Sequence, residues 1–167
     1  MPHTHRSGLR IHYEVAGRGD PIVLVHGYTS SGRTNWFASG WVDFLSAHRT
    51  VVVPDLRGHG RSQKPYTARS YSIARMAGDV LAVMDREGIE RAPVFGYSMG
   101  GMVTLALLLD HAERVDAGII GGMGSYFPPG RGRFAVERQS RQSAAPRRSL
   151  REQVGFLTSY VSRIDPI

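Results

Sequence analysis

The chain has 167 residues, 41% of them hydrophobic and 21% charged, with a net charge of +7 at pH 7, the balance of one globular unit with room for a sizeable core. It holds no cysteine, which excludes disulfides, thiolate metal ligands and cysteine nucleophiles. All but one of its 21 basic residues are arginine, Lys64 being the exception, a bias that reflects base composition more than a binding surface.

Residues 1–6 carry no apolar signal core, and the longest apolar run, residues 102–109, is far too short to span a membrane. A cytoplasmic location with no membrane partner is the expectation. Residues 9–16 alternate apolar and polar, as a half-buried antiparallel strand does. Gly17-Arg18-Gly19-Asp20-Pro21 then reads as a turn. Ile22-Val23-Leu24-Val25 is continuously apolar and β-branched, as are Thr50-Val51-Val52-Val53 and Pro93-Val94-Phe95. Such runs mark strands covered on both faces. Ala117-Gly118-Ile119-Ile120 repeats the pattern more weakly. Between them, Ile73, Met76, Ala77, Val80, Leu81 and Met84 share one helical face that Gly88 is placed to end, and a second helix is predicted over about 99–109. Strands alternating with helices predict an α/β fold with a mostly parallel sheet.

Composition shifts after Gly121. Residues 126–167 carry eight arginines against Glu137, Glu152 and Asp165. The excess fits a nucleic-acid patch or a solvated tail, and the lack of aromatic interleaving favours the tail. No nucleic-acid partner is expected.

Chemistry concentrates where strands end. Gly96-Tyr97-Ser98-Met99-Gly100-Gly101 contains G-x-S-x-G between a predicted strand and a predicted helix, the setting of a nucleophile elbow. Gly96 and Gly100 allow backbone crowding that a Cβ forbids; a serine merely capping a helix is the bland alternative. His26-Gly27-Tyr28 follows the strand at 22–25, where a loop can offer a backbone N–H to an oxyanion alongside that of Met99. Asp55-Leu56-Arg57-Gly58-His59-Gly60-Arg61-Ser62 follows the strand at 50–53. In it, Asp55 and Arg57 read as residues tying down a loop rather than as catalysts. His3, His5, His12 and His48 read as surface residues, and Trp36 and Trp41 as packing aromatics, while Tyr97 could line a pocket.

These three segments, in this order and spacing, resemble the α/β-hydrolase superfamily, and in tone its branch of small esterases, carbon–carbon-bond hydrolases and cofactor-free perhydrolases. The resemblance runs from about Leu9 to Gly122. It implies Ser98 as nucleophile, Tyr28 and Met99 as backbone oxyanion donors, and His26, Gly27, Gly96 and Gly100 as loop-shaping residues. It further implies a small ester-like substrate, with no cofactor and no metal.

One departure stands out. The family places its acid and histidine after the serine, and here the histidine and aspartates that follow are His111, Asp110, Asp116 and Asp165. At the helical rise, His111 lies roughly 20 Å from Ser98, and Asp110 shares that fate. His26 and His59 follow strands at the right end of the sheet, but the family gives both loop-shaping roles. The expectation is therefore a C-terminally truncated hydrolase: residues 1–122 an incomplete core lacking its late strands, residues 123–167 the start of an Arg-rich lid. Acyl hydrolysis belongs to the complete form and is weak or absent in this chain. Two alternatives stay open: a non-catalytic ligand-binding protein, and half of a split hydrolase. The last strand would then be an exposed edge open to self-association or a complementing chain.

Overall fold

The computed structural model describes residues 2–123. The unit they form, Met1–Gly122, is a six-stranded sheet ordered β1-β2-β4-β3-β5-β6. Its strands are β1 (His3–Arg6), β2 (Leu9–Ala16), β3 (Pro21–Val25), β4 (Thr50–Pro54), β5 (Ala92–Tyr97) and β6 (Val115–Gly121). β1 and β2 are antiparallel to their neighbours, and the other pairings are parallel. Helices α1 (Trp41–Ser46), α2 (Ile73–Arg86) and α3 (Met99–Asp110) connect them.

The period of two along a strand divides the apolar residues between two cores. Val23, Val25 and Val52 point to one face, under Met76, Val80, Val83 and Met84 of α2 and Val103, Ala106 and Leu107 of α3. Ile22, Leu24, Val51 and Val53 point to the other, under Trp36 and Val42. Both faces are thus covered, which is why β3 and β4 read as unbroken apolar runs. The Ser72 side chain caps α2 by accepting the Arg75 N–H, and Gly88, at φ +67°, turns the chain beyond it.

Three elements exceed the expectation from sequence. β1 forms a hairpin with β2, closed at Ser7 and Gly8, both at positive φ, the backbone of a tight two-residue turn. A π-helical turn, Arg33–Phe37, and α1 fill the long connection between β3 and β4. The hairpin also corrects one expectation: His12 is a buried residue, 4% exposed, held against the Asp55 carboxylate. Alternation put it on the polar face of β2, and the loop after β4 covers that face.

Among the described residues β6 pairs with β5 alone, and its residues Asp116, Ala117, Gly118 and Ile119 are exposed. No helix among them is long and apolar enough to cross a membrane. Residues 124–167, including the predicted start of a lid and Asp165, lie outside the described residues.

Candidate active site

Ser98 sits between the last residue of β5 and the first of α3, at φ +52° and ψ −113°. A non-glycine residue there costs on the order of 1–3 kcal/mol and persists only when its surroundings over-determine it. They do so here. The Ser98 N–H donates to Gly121 O at 2.8 Å, and its carbonyl accepts the Gly101 N–H at 2.9 Å. A Cβ on Gly96 would stand 2.1 Å from Gly100 O, and one on Gly100 would stand 2.1 Å from Val25 O. Both obstacles are backbone atoms, so the turn closes only with glycine on each side. The buried Thr104 hydroxyl donates to Gly100 O at 3.0 Å and secures the first turn of α3.

The loop after β3 lies against this turn: a Cβ on Gly27 would be 3.4 Å from Ser98 Cβ. His26 organises it. The Leu56 N–H donates to His26 Nε2 at 3.0 Å, so the ring proton belongs on Nδ1, which donates to Gly27 O at 2.7 Å. Both ring nitrogens are occupied, the side chain is fully buried, and burial pushes its pKa down from 6.5 to about 4. His26 is therefore a neutral brace between two loops, with no lone pair left to take a proton from Ser98. The Gly27 N–H donates to Asn35 Oδ1 at 3.0 Å. Tyr28 projects outward, 70% exposed. Among the described residues, neither the Tyr28 nor the Met99 N–H has a hydrogen-bond acceptor. That of Met99 belongs to the first turn of α3, where no intrahelical partner exists.

The loop after β4 is tied from within. Asp55 Oδ1 accepts the Gly32 N–H at 2.8 Å, while Oδ2 accepts the Arg61 N–H at 2.9 Å and lies 3.2 Å from His12 Nδ1. Arg57 forms a bidentate pair with Asp79 of α2, both contacts 2.6 Å, and donates a third hydrogen bond to Ser70 O. These two side chains are 1% and 0% exposed. Burial pushes the Asp79 carboxyl up against the downward pull of Arg57. Asp55 and Arg57 thus hold the loop. His59 Nδ1 is 2.9 Å from Arg57 O, its ring packed edge-on to Tyr28.

The remaining candidates separate as follows. Tyr97, 46% exposed, stands between Gly27 and Gly122 beside Ser98. Trp36 and Trp41 pack on Phe95, at 4.8 and 5.2 Å between ring centres. Asp110 and His111 lie at the far end of α3, about 18 Å of helix from Ser98. Asp116 pairs with Arg91 at the start of β6, where Ala92 faces Val115, the end of the sheet opposite Ser98. Among the described residues no group of three or more His, Asp or Glu side chains could hold a metal ion. Sequence reasoning missed Asn35 and Asp79. Asp79 had a signal, a carboxylate inside the apolar face of α2; Asn35 had none.

A family model described as the alpha/beta hydrolase fold matches residues 20–129. The chain belongs to that family. Among solved structures this hydrolase-fold chain is similar to Est816, described as an N-acyl homoserine lactone degrading enzyme, with 40% identity, a TM-score of 0.66, and coverage of 77% of this chain and 49% of that one. Among curated proteins it is 33% identical to a 2-hydroxymuconate semialdehyde hydrolase of Pseudomonas sp. (strain CF600), over 86% of this chain and 51% of the relative. It is 35% identical to a soluble epoxide hydrolase of Corynebacterium sp. (strain C12), over 66% of this chain and 37% of the relative. The chain therefore spans about half the length, or less, of these three relatives.

Proposed function

We propose that the site is that of a serine hydrolase acting on a small ester-like or lactone substrate, with Ser98 as nucleophile and no cofactor. The observation that carries this reading is Ser98 at positive φ next to the Met99 N–H and packed on the loop that bears the Tyr28 N–H, both without acceptors among the described residues. Ser98 Oγ attacks the acyl carbon and gives up its proton to a base. The carbonyl oxygen becomes an oxyanion that accepts the Tyr28 and Met99 N–H groups, aided by the α3 N-terminus. Collapse expels the alcohol, and water then hydrolyses the acyl-serine.

Serine chemistry also selects among the reactions named for the relatives. Opening an epoxide with Ser98 Oγ would leave an alkyl ether, which has no carbonyl for water to attack. A lactone or ester leaves an acyl group that water can remove. Acyl substrates therefore fit this site and epoxides do not. Neither His26, committed on both nitrogens, nor His111, at the remote end of α3, is assigned as the base.

The test is labelling of the chain by a fluorophosphonate, expected to be slow without an assigned base, with the modified residue found by peptide mass. Label on Ser98, lost in Ser98→Ala, is the expected result. Label elsewhere, or an ester ligand bound tightly by both the parent chain and Ser98→Ala with no label on Ser98 of the parent, would favour a non-catalytic binding protein instead.

A further inference from the structure

The loop bearing Tyr28 poses a mechanical problem. Its Tyr28 side chain is 70% exposed, with an edge-on contact to the His59 ring. The next residue, Thr29, is at φ +58°, a conformation that a β-branched residue rarely adopts. A backbone so exposed and strained does not hold an N–H direction by itself. Something packed must hold the loop, and His26 holds the Gly27–Tyr28 peptide alone, through Gly27 O.

The preceding peptide, His26–Gly27, is held by Asn35, whose Oδ1 accepts the Gly27 N–H at 3.0 Å. Asn35 is itself fixed. It lies in the π-helical turn Arg33–Phe37, closed by the i to i+5 bond from Ala38 N–H to Arg33 O at 2.9 Å. Its own N–H donates to Ser31 O, and its carbonyl accepts the Ser39 hydroxyl at 2.6 Å. Next to it, Trp36 is 2% exposed and packed on Phe95. The Gly32 N–H anchors the entry to the turn on Asp55. Adjacent residues of this turn serve different ends, Trp36 toward the core and Asn35 toward the loop; such turns recur at functional sites.

We propose that Asn35 is a positioning residue of the oxyanion site: by engaging the Gly27 N–H it fixes the His26–Gly27 peptide, against which the next peptide presents the Tyr28 N–H as the loop's donor. The inference rests on the reading of Ser98 given above. It assigns a division of labour between adjacent amides, one bonded within the fold and one presented to substrate. Asn35 touches no reacting atom; it acts through the peptide it holds.

The experiment measures the rate of fluorophosphonate labelling against probe concentration for the full chain and for Asn35→Ala, alongside amide exchange of Gly27 by NMR. Phosphonylation forms the Ser98 Oγ–P bond, breaks P–F and expels fluoride, leaving a phosphoryl oxygen where the oxyanion would sit. Loss of one oxyanion donor lowers rates about 100-fold or more, so a loosened donor is expected to lower the limiting rate by roughly tenfold or more, with the half-saturating concentration unchanged. Gly27 exchange accelerates in the same variant, and in Asn35→Asp, which keeps the acceptor, it stays slow. A merely structural role would lower Tm and the labelled fraction but leave the rate of the folded fraction intact. Should Asn35→Ala not fold, Asn35→Ser, whose hydroxyl is too short to reach Gly27, provides the same comparison. A wild-type limiting rate in the variant, or unchanged Gly27 exchange, overturns the proposal for Asn35 alone. Absence of label on Ser98 in the parent chain overturns the nucleophile and the positioning role together.

Discussion

His26 carries a pH-dependent share of the stability. Protonating it places a second hydrogen on Nε2, where the Leu56 N–H already donates, so two donors would face each other inside the core. The folded-state pKa is about 4 against 6.5 for the free side chain. Between those values the unfolded chain binds a proton that the folded chain refuses, so stability falls as pH drops through 6.5 and levels off below 4. The linkage relation for these two values gives a loss of about 2 kcal/mol between pH 7 and pH 5, before carboxylates contribute much. Because the side chain is fully buried, solvent screening does not discount the figure. Urea unfolding of the parent and of His26→Gln, each at pH 7 and pH 5, isolates the effect, since every other titrating group is common to both. The variant is less stable at pH 7, and the gap between the two proteins narrows by about 2 kcal/mol at pH 5. A gap independent of pH, or a His26 imidazole that titrates near 6.5 by NMR, would refute the brace as described.

Two further outcomes follow from the same geometry. Asp79→Leu leaves the Arg57 guanidinium buried without its carboxylate and should cost about 3–5 kcal/mol, whereas the double variant Arg57→Leu, Asp79→Leu should recover most of that loss; equal losses in the single and double variants by thermal unfolding would contradict a paired ion. Ser98→Gly should be more stable than Ser98→Ala by about 1 kcal/mol, because glycine accepts the positive φ that alanine does not, and equal melting temperatures would mean the turn stores no strain.

Much of this fold was legible because its signals are local. The apolar runs of β3, β4 and β5 need two covered faces, and the face of α2 repeats at helical spacing over 14 residues. The serine turn was legible for the same reason, since its serine and glycines are consecutive in sequence, although the backbone that demands glycine at position 100 belongs to Val25. β1 was not, since His3-Thr4-His5-Arg6 has no apolar pattern and is a strand only through its pairing with β2. The burial of His12 was hidden because Asp55 and Ser62 reach it from 43 and 50 residues away. Asn35 was hidden for a subtler reason: a π-helical turn breaks the 3.6 periodicity by which facing residues are read.

The Asp55 carboxylate meets the Gly32 N–H, the Arg61 N–H and His12, three points scattered along the chain. This bears on modularity. A connection lengthened or exchanged after β3 loses its tether unless the segment after β4 travels with it, and the reverse also holds. Recombination between relatives, natural or engineered, can therefore cross over beyond Asp79 with these ties intact, while a crossover between Gly32 and Arg61 separates partners that were fitted to one another. The site's two rims are inherited as a pair.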